Sequence, residues 1–375
     1  MSTIKSFSFS PDQLTIDWEN GLQSKLATIW LRDHCQMAES RDVISGQRLM
    51  NISDIPEEVE IDTVTRENDS LIIRYHPDQY CSRFSNDWIF QNCYCINSTY
   101  DDRSEKNKRL WQGDSFATGI PQCNFDDFSN RSEVKLSALQ AVRDYGFVLL
   151  NAVEPSPAKV LDVIKEFGFV RQTNYGKLFD VRATVDASNL AFTNRGLGCH
   201  LDNPYRDPVP GLQLLHCLES STEGGETILQ DGFMAAAVLR AENPDHFSLL
   251  CKQWINFKFQ DSASNLKSRV AFIEVNDHDE VIKVRFNNRS IDTINLAPDL
   301  IRSFYQAYRH YAEILERETL QISFKLEAGQ LILFDNTRIL HARKSYSSAG
   351  HRHLQGAYSD LDGLYSTLYQ LEQKL

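Results

Sequence analysis

Residues 196–208 read GLGCHLDNPYRDP and place His200 two positions before Asp202, where a strand runs into a proline-rich loop. Alternate residues of a strand point the same way, so both side chains lie on one face. Residues 329–346, GQLILFDNTRILHARKSY, place His341 after an apolar strand and a polar turn. Two imidazoles and one carboxylate leave positions open on a metal for a cosubstrate and oxygen, as iron(II) needs. The same three ligands could hold zinc.

The composition narrows the class of protein. The chain has 375 residues, enough for two domains, and its 42% hydrophobic and 24% charged residues are typical of a globular protein. The formal net charge of -12 disfavours binding through phosphate neutralisation, so we expect no nucleic-acid partner. We find no signal-peptide pattern and no apolar run long enough to cross a membrane. We therefore expect a cytoplasmic protein without a membrane partner.

The pattern of short strands divides the chain into two parts. Residues 1–97 contain SFSFS, LTIDW, ATIWLR, EVEIDTVTR and SLIIRYH, which predict a small β-rich domain. The polar run INSTYDDRSEKNKRLWQGDS, residues 96–115, has no clear periodicity and predicts a linker. We place the domain boundary near residue 97 and assign residues 98–375 to a second domain.

The second part predicts a mainly β domain decorated by helices. SEVKLSALQAVRDYG has helical spacing, and SPAKVLDVIKEFG predicts a helix with Ser156 as N-cap and Pro157 at its first position. The apolar runs GLQLLHCL, ETILQ, INFKFQ, VIKVRFN, ISFKLEAGQLILFDN and RHLQGAYSD predict strands. Many strands with few helices favour a barrel or a jelly roll.

Two further residues favour a carboxylate-binding site beside the metal ligands. Arg352 lies 11 positions after His341, and Thr227, in EGGETILQDG, lies 27 positions after His200. A guanidinium and a hydroxyl group can bind one carboxylate through charge-assisted hydrogen bonds. A His-x-Asp pair alone occurs by chance. The metal site is therefore predicted from His200, Asp202 and His341 together with Arg352 and Thr227.

These motifs resemble a known family. The spacing of His-x-Asp, Gly-Gly-x-Thr and the distal His with its Arg is similar to taurine-dioxygenase-type iron(II)/2-oxoglutarate oxygenases. GLQLLHCLES, LQDGF, VRFNNRSIDT, FDNTRILHARKSY and RHLQGAYSDLD, with IWLRDHC in the first domain, resemble γ-butyrobetaine hydroxylase and trimethyllysine hydroxylase. The resemblance implies a double-stranded β-helix, or jelly roll, with flanking helices, and a homodimer.

The resemblance also implies the cofactors and their ligands. His200, Asp202 and His341 bind the catalytic iron(II), and 2-oxoglutarate and O2 are the cosubstrates. Thr227, Arg352 and Leu215 are the implied 2-oxoglutarate-binding residues. The implied reaction hydroxylates the second carbon from the nitrogen of a small trimethylammonium zwitterion. The implied substrate-binding residues are Tyr175, Phe179, Asn189, Phe192, Asn203, Asn287, Asn288, Arg289 and Tyr358.

The aromatic members of this set would hold the trimethylammonium group, which has no N–H to donate and is bound best by aromatic faces. Tyr175, Phe179, Phe192 and Tyr358 are the candidates, although each could equally be a core residue. The family leads us to expect tryptophan at Phe179 and tyrosine at Phe192 and Asn203. These replacements weaken the attraction for a cation.

Arg289, in FNNRS, is a second departure from the family and bears on the anionic end of the substrate. A guanidinium suits a highly charged tetrahedral anion. We therefore favour 2-(trimethylamino)ethylphosphonate, with γ-butyrobetaine, giving carnitine, as the alternative. Arg289 could also be a surface charge directed away from the site.

The first domain departs from a zinc site of eukaryotic relatives, which hold zinc through three cysteines and a histidine. Cys35 remains, but Met37, Ser40 and Tyr80 stand at the other positions. We expect no structural zinc unless His34, Cys81, Cys93 or Cys95 build a different site.

Two other classes use the same residues differently. A zinc hydrolase would use the His/Asp/His set with a bound water, but it gives Arg352 and Thr227 no role. A binding protein of the same fold would keep the aromatic cage and need no metal.

Overall fold

The apolar strands of the second part form two sheets in the computed structural model. The structure describes residues 3–94, 107–182, 194–347 and 349–375. The chain divides into two compact units, residues 1–106 and 107–375. The predicted boundary near residue 97 lies outside the described residues, so the division into 1–97 and 98–375 stays a prediction.

The first unit contains two three-stranded antiparallel sheets, β1-β2-β3 and β4-β5-β6. The strands are β1 (Ile4–Ser10), β2 (Gln13–Trp18), β3 (Gln23–Ala27), β4 (Glu60–Glu67), β5 (Ser70–His76) and β6 (Cys81–Ser85). The helices are α1 (Thr28–Asp33) and α2 (Asn86–Asn92), with a short 3-10 helix at Ile52–Asp54. One apolar core, with Trp18, Leu71 and Phe84 among its buried members, joins both sheets.

The prediction of a strand at ATIWLR is wrong, because helix α1 begins at Thr28. The Thr28 hydroxyl donates to the Pro11 carbonyl (2.7 Å), which turns the chain out of strand β3. Trp30 then stacks on His34 at 4.6 Å between ring centroids, a pair four residues apart that a helix brings together.

The second unit contains the two sheets of the predicted jelly roll. The seven-stranded sheet has the order β10-β21-β12-β19-β8-β7, with β9 also paired to β21, and the four-stranded sheet has the order β11-β20-β13-β18. Its strands are β7 (Gln122–Asn124), β8 (Phe147–Asn151), β9 (Val170–Arg171), β10 (Phe179–Val181), β11 (Leu197–His200), β12 (Leu212–Ser220), β13 (Thr227–Asp231), β18 (Gln321–Phe324), β19 (Leu331–Asp335), β20 (Ile339–Arg343) and β21 (Arg352–Ser359). Two further hairpins form separate two-stranded sheets. They are β14 (Ile255–Gln260) with β15 (Asn265–Val270), and β16 (Ile273–Val275) with β17 (Val281–Val284).

Alternation along the central strands separates two apolar cores. In β19, Leu331 and Leu333 join the core beneath the helices, whereas Ile332 and Phe334 join the core between the sheets. This period of two follows from the pleat of a strand. Residues of β12 that point inward, such as Leu215, therefore face the interior of the jelly roll.

Helices cover the outer faces. They are α3 (Phe125–Asn130), α4 (Ser132–Tyr145), α5 (Lys159–Lys165), α6 (Gly232–Glu242), α7 (Pro244–Lys252), α8 (Pro298–Leu315) and α9 (Leu361–Lys374), with 3-10 helices at Gly113–Phe116 and Glu318–Leu320. None of the helices in the described ranges is long and apolar enough to span a bilayer. The predicted class, a mainly β double-stranded β-helix with flanking helices and a small β-rich N-terminal unit, is confirmed.

Two local predictions in the second unit are wrong. Helix α5 begins at Lys159, because Ala158 takes a left-handed conformation (φ 66°) and donates its N–H to Gln355 Oε1 (2.7 Å). The end of the predicted linker belongs to the core, since Trp111 is buried and its Nε1 donates to the Tyr145 carbonyl (2.8 Å). Tertiary contacts that no local pattern contains decide both cases.

Candidate active site

Strand register brings the two predicted histidine ligands together. Strands β11 and β20 are antiparallel neighbours, and His200 lies directly opposite His341. Their ring centroids are 4.2 Å apart. Asp202 Oδ1 lies 3.5 Å from His200 Nε2, and Asp202 Oδ2 lies 4.0 Å from His341 Nε2. In the described ranges, this is the one cluster of three or more His, Cys, Asp or Glu side chains arranged to hold a metal ion.

The hydrogen bonds and charges around these three residues suit a metal. His200 Nδ1 lies 2.9 Å from the Gly198 carbonyl oxygen, which can only accept, so Nδ1 carries a hydrogen and Nε2 is the nitrogen that faces Asp202. Burial, and then the neighbouring His200, lower the pKa of His341 to about 3, so its imidazole is neutral. Burial raises the pKa of a carboxyl group, but contacts with His200, His341 and Tyr358 outweigh this effect and hold the pKa of Asp202 well below its usual range.

Neighbouring side chains fix the Asp202 carboxylate in place. Its Oδ2 accepts hydrogen bonds from Gln213 Nε2 (2.8 Å) and from the Tyr358 hydroxyl (2.9 Å). Asn336, in the turn between β19 and β20, accepts from the Asp202 N–H and donates to the Asp202 carbonyl, both at 3.0 Å. Burial raises the pKa of Tyr358 well above its usual value, so its hydroxyl keeps the proton it donates.

We expect Tyr358→Phe to weaken Fe(II) binding about tenfold, because hydrogen-bonded partners of metal ligands typically contribute 10- to 100-fold to affinity. The variant keeps the ring and removes the donor to Asp202. Titration of the metal-free protein with ferrous iron under nitrogen measures the effect. Tyr311→Phe is the control, because Tyr311 is buried in the core of α6–α8 and does not line the cavity beside Asp202. Equal affinity in both variants would contradict the assigned role of Tyr358.

The metal-binding cluster opens into a cavity of about 470 Å³. Of the residues that the sequence predicts to bind cosubstrate or substrate, the cavity is lined by Leu215, Thr227, Arg352, Tyr175, Phe179, Asn203, Asn287, Arg289 and Tyr358. Asn189 and Phe192 lie outside the described residues. Asn288 is not brought to the cavity, because the turn after Asn287 directs it to a neighbouring cleft of about 280 Å³.

One end of the cavity is strongly cationic. Arg352 and Thr227 lie there as predicted, and Arg343, which the sequence analysis missed, joins them. Burial lowers the pKa of Arg352, but no carboxylate among the described residues forms an ion pair with it. Gly225 (φ 74°) makes room for this side chain, since an added Cβ would lie 3.2 Å from Arg352 Nε. This end has the charge and donors to hold the distal carboxylate of 2-oxoglutarate.

A continuous group of aromatic rings forms another wall. Phe179 stacks on Tyr358 with centroids 5.0 Å apart, and Tyr175 lies 6.2 Å from Phe179. Phe259, 5.8 Å from Tyr175, stacks on Tyr205 at 5.0 Å. Gly356 allows the Phe179 ring to pack, because an added Cβ would lie 2.2 Å from its Cζ. These rings can surround a quaternary ammonium group.

Arg289 lies at the boundary between the cavity and the neighbouring cleft, and lines both. Its side chain is exposed by surface area, yet burial of the guanidinium lowers its pKa. Both observations fit a group that faces enclosed space within the protein. Asn287 has a different position, because its Nδ2 donates to the Leu201 carbonyl (3.0 Å) and its Oδ1 accepts from the Arg289 N–H (3.2 Å). Its amide therefore supports the segment that carries the metal ligands.

Several residues of the cavity wall are not predicted from the sequence. They include Tyr205, Gln213, Lys258, Phe259, Gln260, Ser290 and Arg343. Gln213 and Tyr205 could be found from strand alternation and from their closeness to Asp202. Lys258 and Phe259 could not, because hairpin β14/β15 reaches the site only through tertiary packing.

In the first unit, the residues at the positions where the family resemblance implies zinc ligands in eukaryotic relatives contact one another. Ser40 Oγ and the Tyr80 hydroxyl are 2.6 Å apart, and Cys35 Sγ lies 3.9 Å from the same hydroxyl. The Arg32 guanidinium lies 3.6 Å from the centre of the Tyr80 ring and pairs with Asp78 at 3.0 Å. Hydrogen bonds and a cation–π contact thus connect these positions. Cys95, part of the alternative site, lies outside the described residues.

Comparison with known families defines the class. Residues 111–358 match the family described as taurine catabolism dioxygenase TauD, TfdA. The match spans more than half of the chain, and the chain belongs to this family. Residues 7–88 match the family described as gamma-butyrobetaine hydroxylase-like, N-terminal. The predicted class, a dioxygenase that uses Fe(II), 2-oxoglutarate and O2, is confirmed.

Three individual relatives match the chain over nearly its whole length. The gamma-butyrobetaine dioxygenase of Pseudomonas sp. (strain AK-1) is 31% identical over 363 residues, which cover 96% of this chain and 94% of the relative. The human gamma-butyrobetaine dioxygenase is 28% identical with coverages of 96% and 95%. The trimethyllysine dioxygenase of Meyerozyma guilliermondii is 26% identical with coverages of 96% and 94%. The family resemblance predicted from the sequence is confirmed.

Solved structures agree on the fold. Asparagine oxygenase in complex with Fe(II), 2S,3S-3-hydroxyasparagine and succinate superposes with a TM-score of 0.50, covering 63% of this chain and 84% of that chain. Its sequence identity is 16%, so the likeness concerns the fold alone.

Proposed function

We propose that the protein hydroxylates the second carbon from the nitrogen of a small trimethylammonium zwitterion. The single observation that carries this proposal is one cavity that joins three features: the His200/Asp202/His341 cluster, the half-buried Arg352 without a carboxylate partner in the described ranges, and a group of aromatic rings. The names of the relatives support the substrate class, since they act on gamma-butyrobetaine and trimethyllysine.

His200, Asp202 and His341 would hold iron(II). Bound iron, with 2-oxoglutarate and O2, supplies the oxidising power to convert a C–H bond into C–OH while 2-oxoglutarate becomes succinate and CO2. Arg352 and Thr227 would orient 2-oxoglutarate through its distal carboxylate. Leu215 lines the cavity with them.

The aromatic wall would position the substrate. Tyr175, Phe179 and Tyr358 present rings to the cavity, and a trimethylammonium group gains cation–π attraction there without needing an acceptor. Because the Tyr358 hydroxyl also contacts Asp202, a cation held on this ring lies close to the metal. The family resemblance implies that the second carbon from the nitrogen is the one presented for oxidation.

We favour 2-(trimethylamino)ethylphosphonate over γ-butyrobetaine because of the charges in the cavity. Lys258, Arg289, Arg343 and Arg352 line it, against the single described carboxylate of Asp202. Neither Lys258 nor Arg289 forms an ion pair with a carboxylate among the described residues. When the charges of bound Fe(II) and of the trimethylammonium group are added to these four cations and Asp202, 2-oxoglutarate with a doubly charged phosphonate leaves a smaller excess of positive charge than 2-oxoglutarate with a carboxylate would.

γ-Butyrobetaine is the second candidate. The relatives named for this substrate match the chain over nearly its whole length, and both compounds present the same carbon relative to nitrogen. The two candidates differ only in the anionic end.

We expect Arg289→Met to lower kcat/KM for the phosphonate by about 10- to 100-fold, the equivalent of one lost hydrogen bond between charged groups. The same variant should change kcat/KM for γ-butyrobetaine less than about threefold. Arg309→Met, an exposed residue of α8 outside the cavity, is the matched control. Parallel assays of hydroxylated product for both substrates provide the measurement. An unchanged kcat/KM for the phosphonate would contradict the claim that Arg289 binds its anionic group.

A zinc hydrolase with the same ligand set is the more distant alternative. It would be active under nitrogen and would not need 2-oxoglutarate. Arg352 and Thr227 line the same cavity as the metal cluster, and a zinc hydrolase with a metal-bound water as nucleophile gives them no role.

We also propose that the protein acts in the cytoplasm as a homodimer, with a small zwitterion as its partner and no nucleic acid or membrane. The net charge of -12 supports the absence of nucleic acid. The dimer rests on the family resemblance alone, and light scattering of the full chain tests it.

A further inference from the structure

Strand β10 carries part of the aromatic wall, yet few backbone contacts hold it. It has three residues, and among the described strands it pairs only with β21, at one edge of the seven-stranded sheet. A strand of this length with one neighbour forms few backbone hydrogen bonds, so cross-strand side-chain contacts contribute much of what holds it. The place of the Phe179 ring in the cavity therefore depends on those contacts.

The register of β10 against β21 decides which side chains reach the cavity. Phe179 lies opposite Gly356, and it lines the cavity together with Val181. Asp180 lies between these two residues, opposite Gln355, so its side chain points to the outer face of the sheet. A slip of one residue would exchange the faces, turning the carboxylate into the cavity and the Phe179 ring out of it.

On the outer face, the Asp180 side chain accepts two hydrogen bonds from β21. His353 Nε2 lies 2.6 Å from Asp180 Oδ1, and Gln355 Nε2 donates to the same oxygen at 3.0 Å. Burial raises the pKa of a carboxyl group, but these two contacts outweigh burial and lower the pKa of Asp180. The group is therefore a carboxylate that only accepts, and His353 Nε2 is a donor. Both bonds need Asp180 on this face, which only the observed register provides.

The Gln355 amide is oriented by a contact outside the sheet. Its Oε1 accepts from the Ala158 N–H at 2.7 Å, so Nε2 is the end that faces Asp180. Gln355 is buried, and both ends of its amide have protein partners. Aspartate is depleted in strands, so Asp180 lowers the intrinsic preference of Phe-Asp-Val for this conformation. An unfavourable residue with two oriented donors indicates a specific role.

We propose that Asp180 is a positioning residue for substrate binding, which holds β10 in the register that places the Phe179 ring in the cavity. The inference rests on the proposed function, because it takes the aromatic wall as the site of the trimethylammonium group. Phe179 stacks on Tyr358, and its ring fills the space that a Cβ on Gly356 would occupy. A ring displaced from this space would leave Tyr358 without its stacking partner and weaken the attraction for the cation.

The test compares a cationic ligand with its neutral counterpart. Wild-type protein and Asp180→Ala, with Fe(II) and 2-oxoglutarate under nitrogen, are titrated calorimetrically with γ-butyrobetaine, with the phosphonate and with the carboxylate in which tert-butyl replaces trimethylammonium. We expect Asp180→Ala to raise Kd about tenfold for the cationic ligands, the equivalent of one desolvated cation–π contact, and less than about threefold for the neutral one. KM for 2-oxoglutarate should change less than about threefold, because Arg352 and Thr227 do not lie on β10.

Three further variants separate positioning from a general loss of structure. Asp180→Asn keeps an acceptor oxygen at the same place and should restore most of the affinity for the cationic ligands. His353→Ala removes one of the two donors and should act as Asp180→Ala does, by a smaller factor. Asp162→Ala is the matched control, because Asp162 accepts from Lys165 on the surface of α5 and does not line the cavity. It should bind every ligand as wild-type protein does.

The outcomes distinguish this inference from the proposed function. If the Kd values of Asp180→Ala match those of wild-type protein, or rise equally for cationic and neutral ligands, the inference is overturned and the proposed function stands. An equally large rise in KM for 2-oxoglutarate likewise overturns it. If wild-type protein hydroxylates no trimethylammonium compound, the proposed function itself fails. Thermal melting identifies a variant that misfolds, and if Asp180→Ala does so, His353→Ala decides by the same criteria.

Discussion

Asp202→Ala will lower Fe(II) affinity more than about 100-fold and reduce 2-oxoglutarate turnover to background. Even hydrogen-bonded partners of a metal ligand contribute about 10- to 100-fold, and loss of the ligand itself should exceed this. Asp202 is the anionic member of the cluster, and Gln213 and Tyr358 both donate to its Oδ2. Its removal therefore takes away the charge that attracts the metal and leaves two donors without their acceptor.

Ferrous titration under nitrogen and succinate release in air measure the two effects separately. Asp277→Ala, an exposed carboxylate in a turn outside the cluster, is the matched control and should behave as wild type. The assignment of the metal site would be wrong if Asp202→Ala bound iron as wild-type protein does.

Arg352→Met should raise KM for 2-oxoglutarate about 100-fold or more. A guanidinium can form two charge-assisted hydrogen bonds with one carboxylate, each contributing about 1.5–3 kcal/mol. Arg352 is half-buried at one end of the cavity, and no carboxylate of the described residues forms an ion pair with it. The free protein therefore holds a desolvated charge that the cosubstrate would pair. For the same reason, Arg352→Met should leave the melting temperature unchanged or raise it.

Arg343 provides the comparison for this prediction. Burial, and then the nearby Arg352, lower the pKa of Arg343 to about 10, and its Nη2 donates to the Arg195 carbonyl (2.7 Å). Arg343→Met should raise KM for 2-oxoglutarate less than Arg352→Met does. If the order is reversed, Arg343 rather than Arg352 binds the distal carboxylate.

The metal cluster could be predicted because its geometry is local in two segments. His200 ends strand β11 and Asp202 lies two residues further on, so one short segment brings both ligands together, and the register of β11 against β20 adds His341. Arg352 and Thr227 begin strands of the two sheets, so the fold class carries them to the same interior. The placement of these residues follows from strand periodicity and strand order, and both can be inferred from the sequence.

The rest of the site depends on tertiary contacts. Lys258 and Phe259 lie on a hairpin outside both main sheets, and nothing in INFKFQ distinguishes them from core or surface residues. The family resemblance implies that Asn288 lies beside the substrate, but a turn separates its side chain from that of Asn287 and directs it to the neighbouring cleft. The boundary between strand β3 and helix α1 is equally hard to predict from local sequence. The strand ends at Ala27 because Thr28 forms a hydrogen bond with the distant Pro11.

The most direct test of the central claim is aerobic turnover of the full chain with ferrous iron, 2-oxoglutarate and a trimethylammonium zwitterion. Succinate and hydroxylated product are quantified together, with γ-butyrobetaine, trimethyllysine and 2-(trimethylamino)ethylphosphonate in parallel. We predict about one succinate per hydroxylated product with at least one of these substrates, and none in Asp202→Ala. Iron-loaded protein that consumes no 2-oxoglutarate with any of them, or turnover that persists under nitrogen, would contradict the account.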